Sequence, residues 1–235
     1  MAKKVVFITG GSKGIGFGIA EVLLTNGYRV AFTGRNEKNV QEAEKELKNR
    51  FSQQDVLGYI CDVVNMEQSQ NVVKNIQEQW GSIDIVIANA GVGHLASIDD
   101  ITEAQWHETI DVNLTGVFNT LKVNLEDLKK TKGYFITIAS LAGTNFFAGG
   151  AAYNASKFGL VGFTQAVMLD LRKYGIKVTT IMPGSVTSFF NHHVPSEADD
   201  WKIQPEDIGQ IIHDLLNMHP RTLPSKIEVR PSQPK

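Results

Sequence analysis

The stretch Val5-Val6-Phe7-Ile8-Thr9-Gly10-Gly11-Ser12-Lys13-Gly14-Ile15-Gly16 decides the fold. Four apolar residues run without alternation into a glycine-rich turn, and an amphipathic stretch begins where the turn ends. An uninterrupted apolar run marks a strand buried on both faces, as in a parallel sheet covered by helices. Beyond the turn, Ile15, Ile19, Val22 and Leu23 fall on one helical stripe. Asn26-Gly27 then supplies a stop, because Gly27 can take positive φ where the helix ends. Glycines let the backbone turn tightly and approach a ligand closely. The helix start aims free N–H groups and a positive dipole end at that ligand. A pyrophosphate is the natural occupant. The spacing at Gly10, Gly14 and Gly16 is Gly-x3-Gly-x-Gly, so the pattern draws its meaning from the strand before it and the helix after it.

The same alternation continues outward. Arg29–Thr33, Val56–Cys61, Ile83–Ala88, Tyr134–Ala139 and Lys177–Met182 read as further strands, and Ile227 to Val229 as a last one before the tail Pro231-Ser232-Gln233-Pro234. Helix candidates lie near 14–26, 37–50, 66–80, 102–130, 151–174 and 205–217. Alternating strands and helices imply an α/β fold: a single Rossmann-type, doubly wound parallel sheet with helices on both faces. No repeat, low-complexity block or linker divides the 235 residues, so one domain over 1–235 is expected.

Composition removes several functions. A net charge of −2 offers no long-range attraction for nucleic acid or anionic lipid. No stretch reaches the roughly 18 apolar residues of a membrane span. The apolar run after Met1-Ala2-Lys3-Lys4 is too short for a signal peptide, and the lone Cys61 can form no internal disulfide. A soluble, cytoplasmic protein with no nucleic-acid or membrane partner is expected.

The second strand ends Thr33-Gly34-Arg35-Asn36, with no acid before Glu37. An acid there would read the ribose 2′-hydroxyl of NAD. Arg35 instead offers a planar, permanently charged fork, and Lys13 can approach the same point. Solvated surface charges are the plainer reading of each. Their coincidence favours the 2′-phosphate of NADP(H) over NAD(H).

Downstream, Tyr153 and Lys157 lie four apart on a helix and share a face. A nearby ammonium stabilises a phenolate, and a tyrosine so tuned can pass a proton to or from a carbonyl oxygen. Ser140, at the end of the fifth strand, can hydrogen-bond that oxygen as it gains charge. A helix-surface pair is the commoner meaning of Tyr-x3-Lys alone.

Together, Thr9-Gly10-x3-Gly14-Ile15-Gly16, Asn89-Ala90-Gly91, Asn113, Ser140 and Tyr153-x3-Lys157 resemble the short-chain dehydrogenase/reductase family, from Val5 to about Thr187. The resemblance implies a catalytic set of Asn113, Ser140, Tyr153 and Lys157: Tyr153 as general acid/base, Ser140 orienting the substrate oxygen, Lys157 binding the nicotinamide ribose, and the main chain of Asn113 holding a relay water. It implies cofactor contacts at Gly10, Ser12, Lys13, Gly14, Ile15, Gly16 and Arg35, at Asp62 and Val63 near the adenine, and at Asn89, Ala90 and Gly91. Tyr153 and Lys157 belong to that set too, as do Pro183, Gly184, Val186 and Thr187 around the carboxamide. The family's first asparagine before Ala-Gly is missing, since Ala88 precedes Asn89. The activity implied is hydride transfer between NADP(H) and a carbonyl or secondary alcohol. The partner is a small apolar carbonyl or alcohol, and the assembly a homodimer or homotetramer.

On the substrate side, Val92 to Leu95, Leu141 to Ala148 and a short lid near 188–203 should wall the pocket. Phe146, Phe147, Phe189 and Phe190 read equally as pocket lining or as core and interface aromatics. Trp106, Phe118, Leu121 and Leu125 read equally as an interface stripe or as core. His192 and His193 lack companions at metal-ligand spacing, and Glu197, Asp199 and Asp200 read as solvated. A 3-oxoacyl-type reductase of fatty-acid metabolism and a non-catalytic NADP-binding regulator are the alternatives. A nucleotide-sugar epimerase or dehydratase would need a larger C-terminal region.

Overall fold

The structure is a computed structural model that describes residues 2–233; Met1, Pro234 and Lys235 lie outside it. Strands β1 (Val5–Ile8), β2 (Arg29–Gly34), β3 (Val56–Ile60), β4 (Ile85–Ala88), β5 (Tyr134–Ile138), β6 (Lys177–Pro183) and β7 (Lys226–Val229) form one sheet in the order 3-2-1-4-5-6-7. Every pairing is parallel. Parallel neighbours need crossovers, and these are helices α1 (Gly14–Thr25), α2 (Glu37–Arg50), α3 (Met66–Trp80), α4 (Glu103–Ile110), α5 (Gly116–Thr131), α6 (Ala151–Leu171) and α7 (Pro205–Leu216).

The pleat of β1 shows how the continuous apolar runs are used. Val6 and Ile8 join a core layer with Ile19, Leu23 and Leu47 from α1 and α2 and Ile208 and Ile212 from α7. Val5 and Phe7 face the opposite layer, with Val73 and Ile76 from α3, Leu128 from α5 and Leu160 from α6. Both faces of β1 are therefore dry, as its lack of alternation requires. Helix α1 sits close on α7 because Gly18 and Gly209 lie at the crossing. A Cβ on Gly18 would meet Pro205 Cβ at 2.5 Å, and one on Gly209 would meet Val22 Cγ2 at 2.8 Å.

Several element ends shift by one to three residues from the sequence reading, and two departures bear on the site. The expected helix 102–130 is α4 and α5 joined through a π turn at Asp111–Thr115, where Gly116 N–H bonds back to Asp111 O. The expected strand Val56–Cys61 ends at Ile60, leaving Cys61 buried just beyond the pairing. Among the described residues no helix is long and apolar enough to cross a membrane.

The strand order reverses direction between β1 and β4. Connections leave these two strands on opposite faces, which opens a crevice at their carboxyl ends.

Candidate active site

The glycine turn lies in that crevice. Gly11 N–H donates to Thr33 O at 2.8 Å, which ties the turn to β2. The Asn89 amide, just past β4, donates to Thr9 O and Gly10 O at 2.9 Å each. Thr9 Oγ1 accepts from the N–H groups of Asn89 and Ala90 at 3.1 and 3.2 Å. Gly10 has φ +66°, and a Cβ there would stand 2.8 Å from Ala90 Cα. Only glycine gives both the left-handed backbone and the close approach of β1 to β4. A groove results, lined by Gly10, Ser12, Lys13, Gly14, Ile15, Arg35, Val63, Asn89, Ala90 and Gly91 among others. Gly16 lies under the turn, and Asp62 lies past its edge, where Oδ1 accepts from Val64 N–H at 3.1 Å. The groove suits an extended phosphate-bearing ligand: the free N–H groups of α1 open onto it, and Arg35 and Lys13 bring positive charge. Thr33 Oγ1, at its floor, is buried with no hydrogen-bond partner among the described residues.

Arg35 is not the free fork that the sequence implies. Its Nη1 lies 3.2 Å from Glu108 Oε1, and His94 Nε2 lies 2.7 Å from Glu108 Oε2. These donors, His94 foremost, hold the Glu108 carboxyl below its ordinary value.

Next to the groove is a second cavity, sharing Ile15, Ser188 and Phe190 with it. Ser140 and Tyr153 line it, with Pro183, Gly184 and Val186 opposite. Thr187 stands outside both cavities, its N–H bonded to Ile203 O at 2.9 Å. The Tyr153 side chain is half-buried, and desolvation pushes its phenol above the usual value while the Ser140 hydroxyl pulls it back. The net direction is up, opposite to the lowering expected from the tyrosine–lysine pair. The reason is geometric: Lys157 Nζ donates to Ile138 O at 3.1 Å and lies 5.7 Å from the centroid of the Tyr153 ring. Burial lowers the ammonium itself to about 8.

Asn113 sits in the π turn with none of its surface exposed. Its side chain closes a two-bond clamp on Val92, accepting from Val92 N–H and donating to Val92 O, both at 2.8 Å. It also donates to Ser156 Oγ at 3.0 Å, which links β4's exit to the helix that carries Tyr153 and Lys157. An insertion of this kind shifts the helical bond ladder by one residue, and such turns recur at working sites.

A family model described as short chain dehydrogenase matches residues 4–199. The chain belongs to the short-chain dehydrogenase family. It is an oxidoreductase of that family. An uncharacterized oxidoreductase of Staphylococcus aureus strain MW2 is 33% identical over 233 residues, covering 98% of each chain. An uncharacterized oxidoreductase of Staphylococcus saprophyticus is 33% identical over 97% of each. An alcohol dehydrogenase from the archaeon Thermococcus sibiricus, complexed with 5-hydroxy-NADP, superposes with a TM-score of 0.91 at 27% identity, over 99% of both chains. A metagenomic short-chain oxidoreductase in complex with NADP gives 0.85 at 29% identity, again over 99% of both.

Within this short-chain dehydrogenase the lid segment 188–203 differs most from expectation. Phe190 packs at a tilt against Tyr153, ring centroids 5.3 Å apart, and its ring fills the space a Gly93 side chain would need. Phe189 lies under the Lys13 ammonium at 5.5 Å. Phe146 is 85% exposed and lines neither cavity. Trp106 and Phe118 are exposed, whereas Leu121 is core. Asp199 is not solvated: it is 4% exposed and lies between His193 Nε2 at 2.6 Å and Lys202 Nζ at 2.5 Å. Those two donors hold its carboxyl at about 2. Among the described residues no three His, Cys, Asp or Glu side chains gather as a metal site.

Sequence reasoning missed Glu108, Asn154, Ser156 and Lys202. Asn154 donates to Ala142 O at 2.7 Å and Asn145 O at 2.8 Å, so it fixes the loop after Ser140. It stands inside the Tyr153–Lys157 motif, and that adjacency was the available signal. Glu108 had none, since no periodicity marks a partner 73 positions away, and Lys202, three positions from Asp199, reads as an ordinary surface pair.

Proposed function

We propose that this chain is an NADP(H)-dependent carbonyl reductase and alcohol dehydrogenase with Tyr153 as its general acid/base. The observation that carries the reading is the adjacency of the two cavities. Ser140 and Tyr153 line a pocket that opens directly onto the glycine-turn groove, with Lys157 buried behind them.

When bound in the groove, NADPH supplies the hydride that a carbonyl carbon receives. The chain's own residues do the rest. Gly10, Ser12, Gly14, Ile15 and the start of α1 hold the pyrophosphate, Val63 and Asp62 the adenine, and Asn89 to Gly91 the middle of the molecule. Arg35 and Lys13 hold the 2′-phosphate. Pro183, Gly184, Val186 and Thr187 receive the carboxamide, and Lys157 the ribose hydroxyls. Ser140 donates a hydrogen bond to the substrate oxygen, and Tyr153 donates one beside it and then its proton. A phenol pushed up by burial is fully protonated near neutral pH, the form that reduction needs. Asn113, through Val92 and Ser156, keeps β4's exit and α6 in register. Phe190 shields the reacting pair from water. NADP-bound relatives that superpose over nearly the whole chain support the cofactor assignment. The exposed Phe118 on α5 and Phe158 on α6 support a dimer or tetramer packed through those helices.

The test is a spectrophotometric screen of ketones and aldehydes with NADPH and with NADH, on the wild type and on Arg35→Ala. NADPH oxidation with a clear preference over NADH is expected. Loss of a charged hydrogen bond should cut kcat/KM for NADPH by about ten- to hundredfold in the variant and leave NADH nearly unchanged. Tight NADPH binding with no oxidation of it by any carbonyl compound would instead favour a non-catalytic regulator.

A further inference from the structure

The pocket that holds Ser140 and Tyr153 also takes in Lys202 and His193. The proton chemistry above uses neither. Both belong to the lid segment, and both are held by the Asp199 carboxylate. Asp199 is buried and firmly anionic, so it anchors two cation-capable side chains at once. A lid staple needs only one cation for one carboxylate. With His193 bonded to the same carboxylate, Lys202 is not the sole partner of Asp199, and both side chains line the cavity.

The donors are also available. Asp199 Oδ1 engages one of the three N–H groups of the Lys202 ammonium, and no other ion pair is formed by it among the described residues. The Lys202 side chain is only 20% exposed, so its remaining donors act in partly desolvated surroundings, where a charge-assisted hydrogen bond is stronger. Ser185 and Ser188 add hydroxyls to the same wall, and no acidic side chain lines the cavity.

We propose that Lys202 and His193 form an anion subsite, and that the substrate carries a carboxylate on the same molecule as the carbonyl that Tyr153 serves. This rests on the carbonyl-reductase reading. In the reaction the carbonyl carbon gains a hydride from the reduced nicotinamide, which is thereby oxidised by two electrons. The carbonyl oxygen gains the Tyr153 proton, and the carboxylate passes through unchanged. An oxo acid becomes a hydroxy acid.

The experiment compares oxo acids with their methyl esters, with one to three carbons between carbonyl and carboxyl, using the full chain and NADPH. For the acid whose length fits, kcat/KM should exceed that of its ester by about tenfold or more, since a site built to bond a group rejects the analogue lacking it. In Lys202→Gln the acid-to-ester ratio should fall towards 1, and Lys202→Arg should restore most of it. Because Lys202→Gln leaves Asp199 with one partner fewer, the double variant Asp199→Asn/Lys202→Gln is measured too and should show the same loss of ratio. Calorimetric titration of the NADP-loaded wild type with carboxylic acids lacking the carbonyl should show binding that both variants lose.

Equal use of acids and esters by the wild type would overturn the subsite while leaving the reductase reading intact. A ratio that survives in Lys202→Gln would also overturn it. So would a Lys202→Gln variant whose main defect is weaker NADPH binding, which would assign the ammonium to a cofactor phosphate. If no carbonyl compound of either kind is reduced, the reductase reading fails first and takes the subsite with it.

Discussion

The groove between β1 and β4 and the lid over 188–203 meet at Ser188, Phe189 and Phe190, and they are built by different means. The groove is largely main chain, pinned by two short side chains, the Thr9 hydroxyl and the Asn89 amide. Thr9, Gly10, Gly11, Asn89 and Ala90 are stitched by backbone and short amide bonds at the ends of central, fully buried strands. The lid holds itself with side chains: one buried carboxylate between a lysine and a histidine, and a phenylalanine packed at a tilt against the Tyr153 ring. A backbone cradle fits a ligand part common to many proteins, whereas a side-chain cluster can be changed residue by residue. Binding of a shared cofactor is thus expected from the first region, and choice of substrate from the second.

The largest expected break falls on the groove. Gly10→Val places a β-branched side chain at φ +66° and against Ala90 Cα. Left-handed strain of roughly 1–3 kcal/mol plus that clash should raise the Kd for NADPH by about hundredfold. Fluorescence titration reads the Kd, and a parallel melting curve separates it from loss of fold. An unchanged Kd would remove the turn from cofactor binding.

A smaller effect belongs to the framework behind Tyr153. Lys157 is fully buried with its folded value at about 8, below the ordinary 10.5. The folded state therefore binds fewer protons than the unfolded state between those two values. The cost of the buried charge is full below pH 8 and is relieved as pH rises towards 10.5. Lys157→Met should be more stable than the wild type at pH 7, on the order of 2 kcal/mol, with the gap closing by pH 10.5. Urea denaturation at the two pH values checks this, and a gap that widens with pH would reverse the assignment.

The smallest effect sharpens the contrast from the lid side. Asp199→Asn removes the anchor of His193 and Lys202 but touches no groove residue. Amide exchange in 188–203 should quicken by about tenfold, as for loss of one charged hydrogen-bond pair, while exchange in β1 and β4 stays unchanged. Uniform quickening across the sheet would mean that the two regions are not independent.

The same contrast explains what was legible. The strands, the glycine turn and the Tyr153–Lys157 pair are local patterns, so the sheet, its windings and the groove follow from the sequence within a residue or two at most boundaries. The π turn was hidden because 102–130 keeps a helical composition throughout, and one inserted residue barely disturbs its periodicity. Arg35 was seen, but Glu108 was not, because an ion pair between β2's exit and α4 leaves no trace in spacing. Asp199 reads as solvated from sequence although its partners His193 and Lys202 are close along the chain, because charges so near one another are usually surface groups. Its burial depends on how Ile203 returns to pair with Val186, a tertiary event on an irregular segment.

The proposed function stands on Tyr153 as the proton donor. The most direct measurement is therefore on Tyr153→Phe, which keeps the ring against Phe190 and removes only the hydroxyl. With a carbonyl substrate from the screen, kcat should fall by about 10²–10⁴-fold, while the Kd for NADPH by fluorescence titration stays within about twofold. Near-normal turnover in that variant would contradict the assignment of Tyr153 as the acid/base.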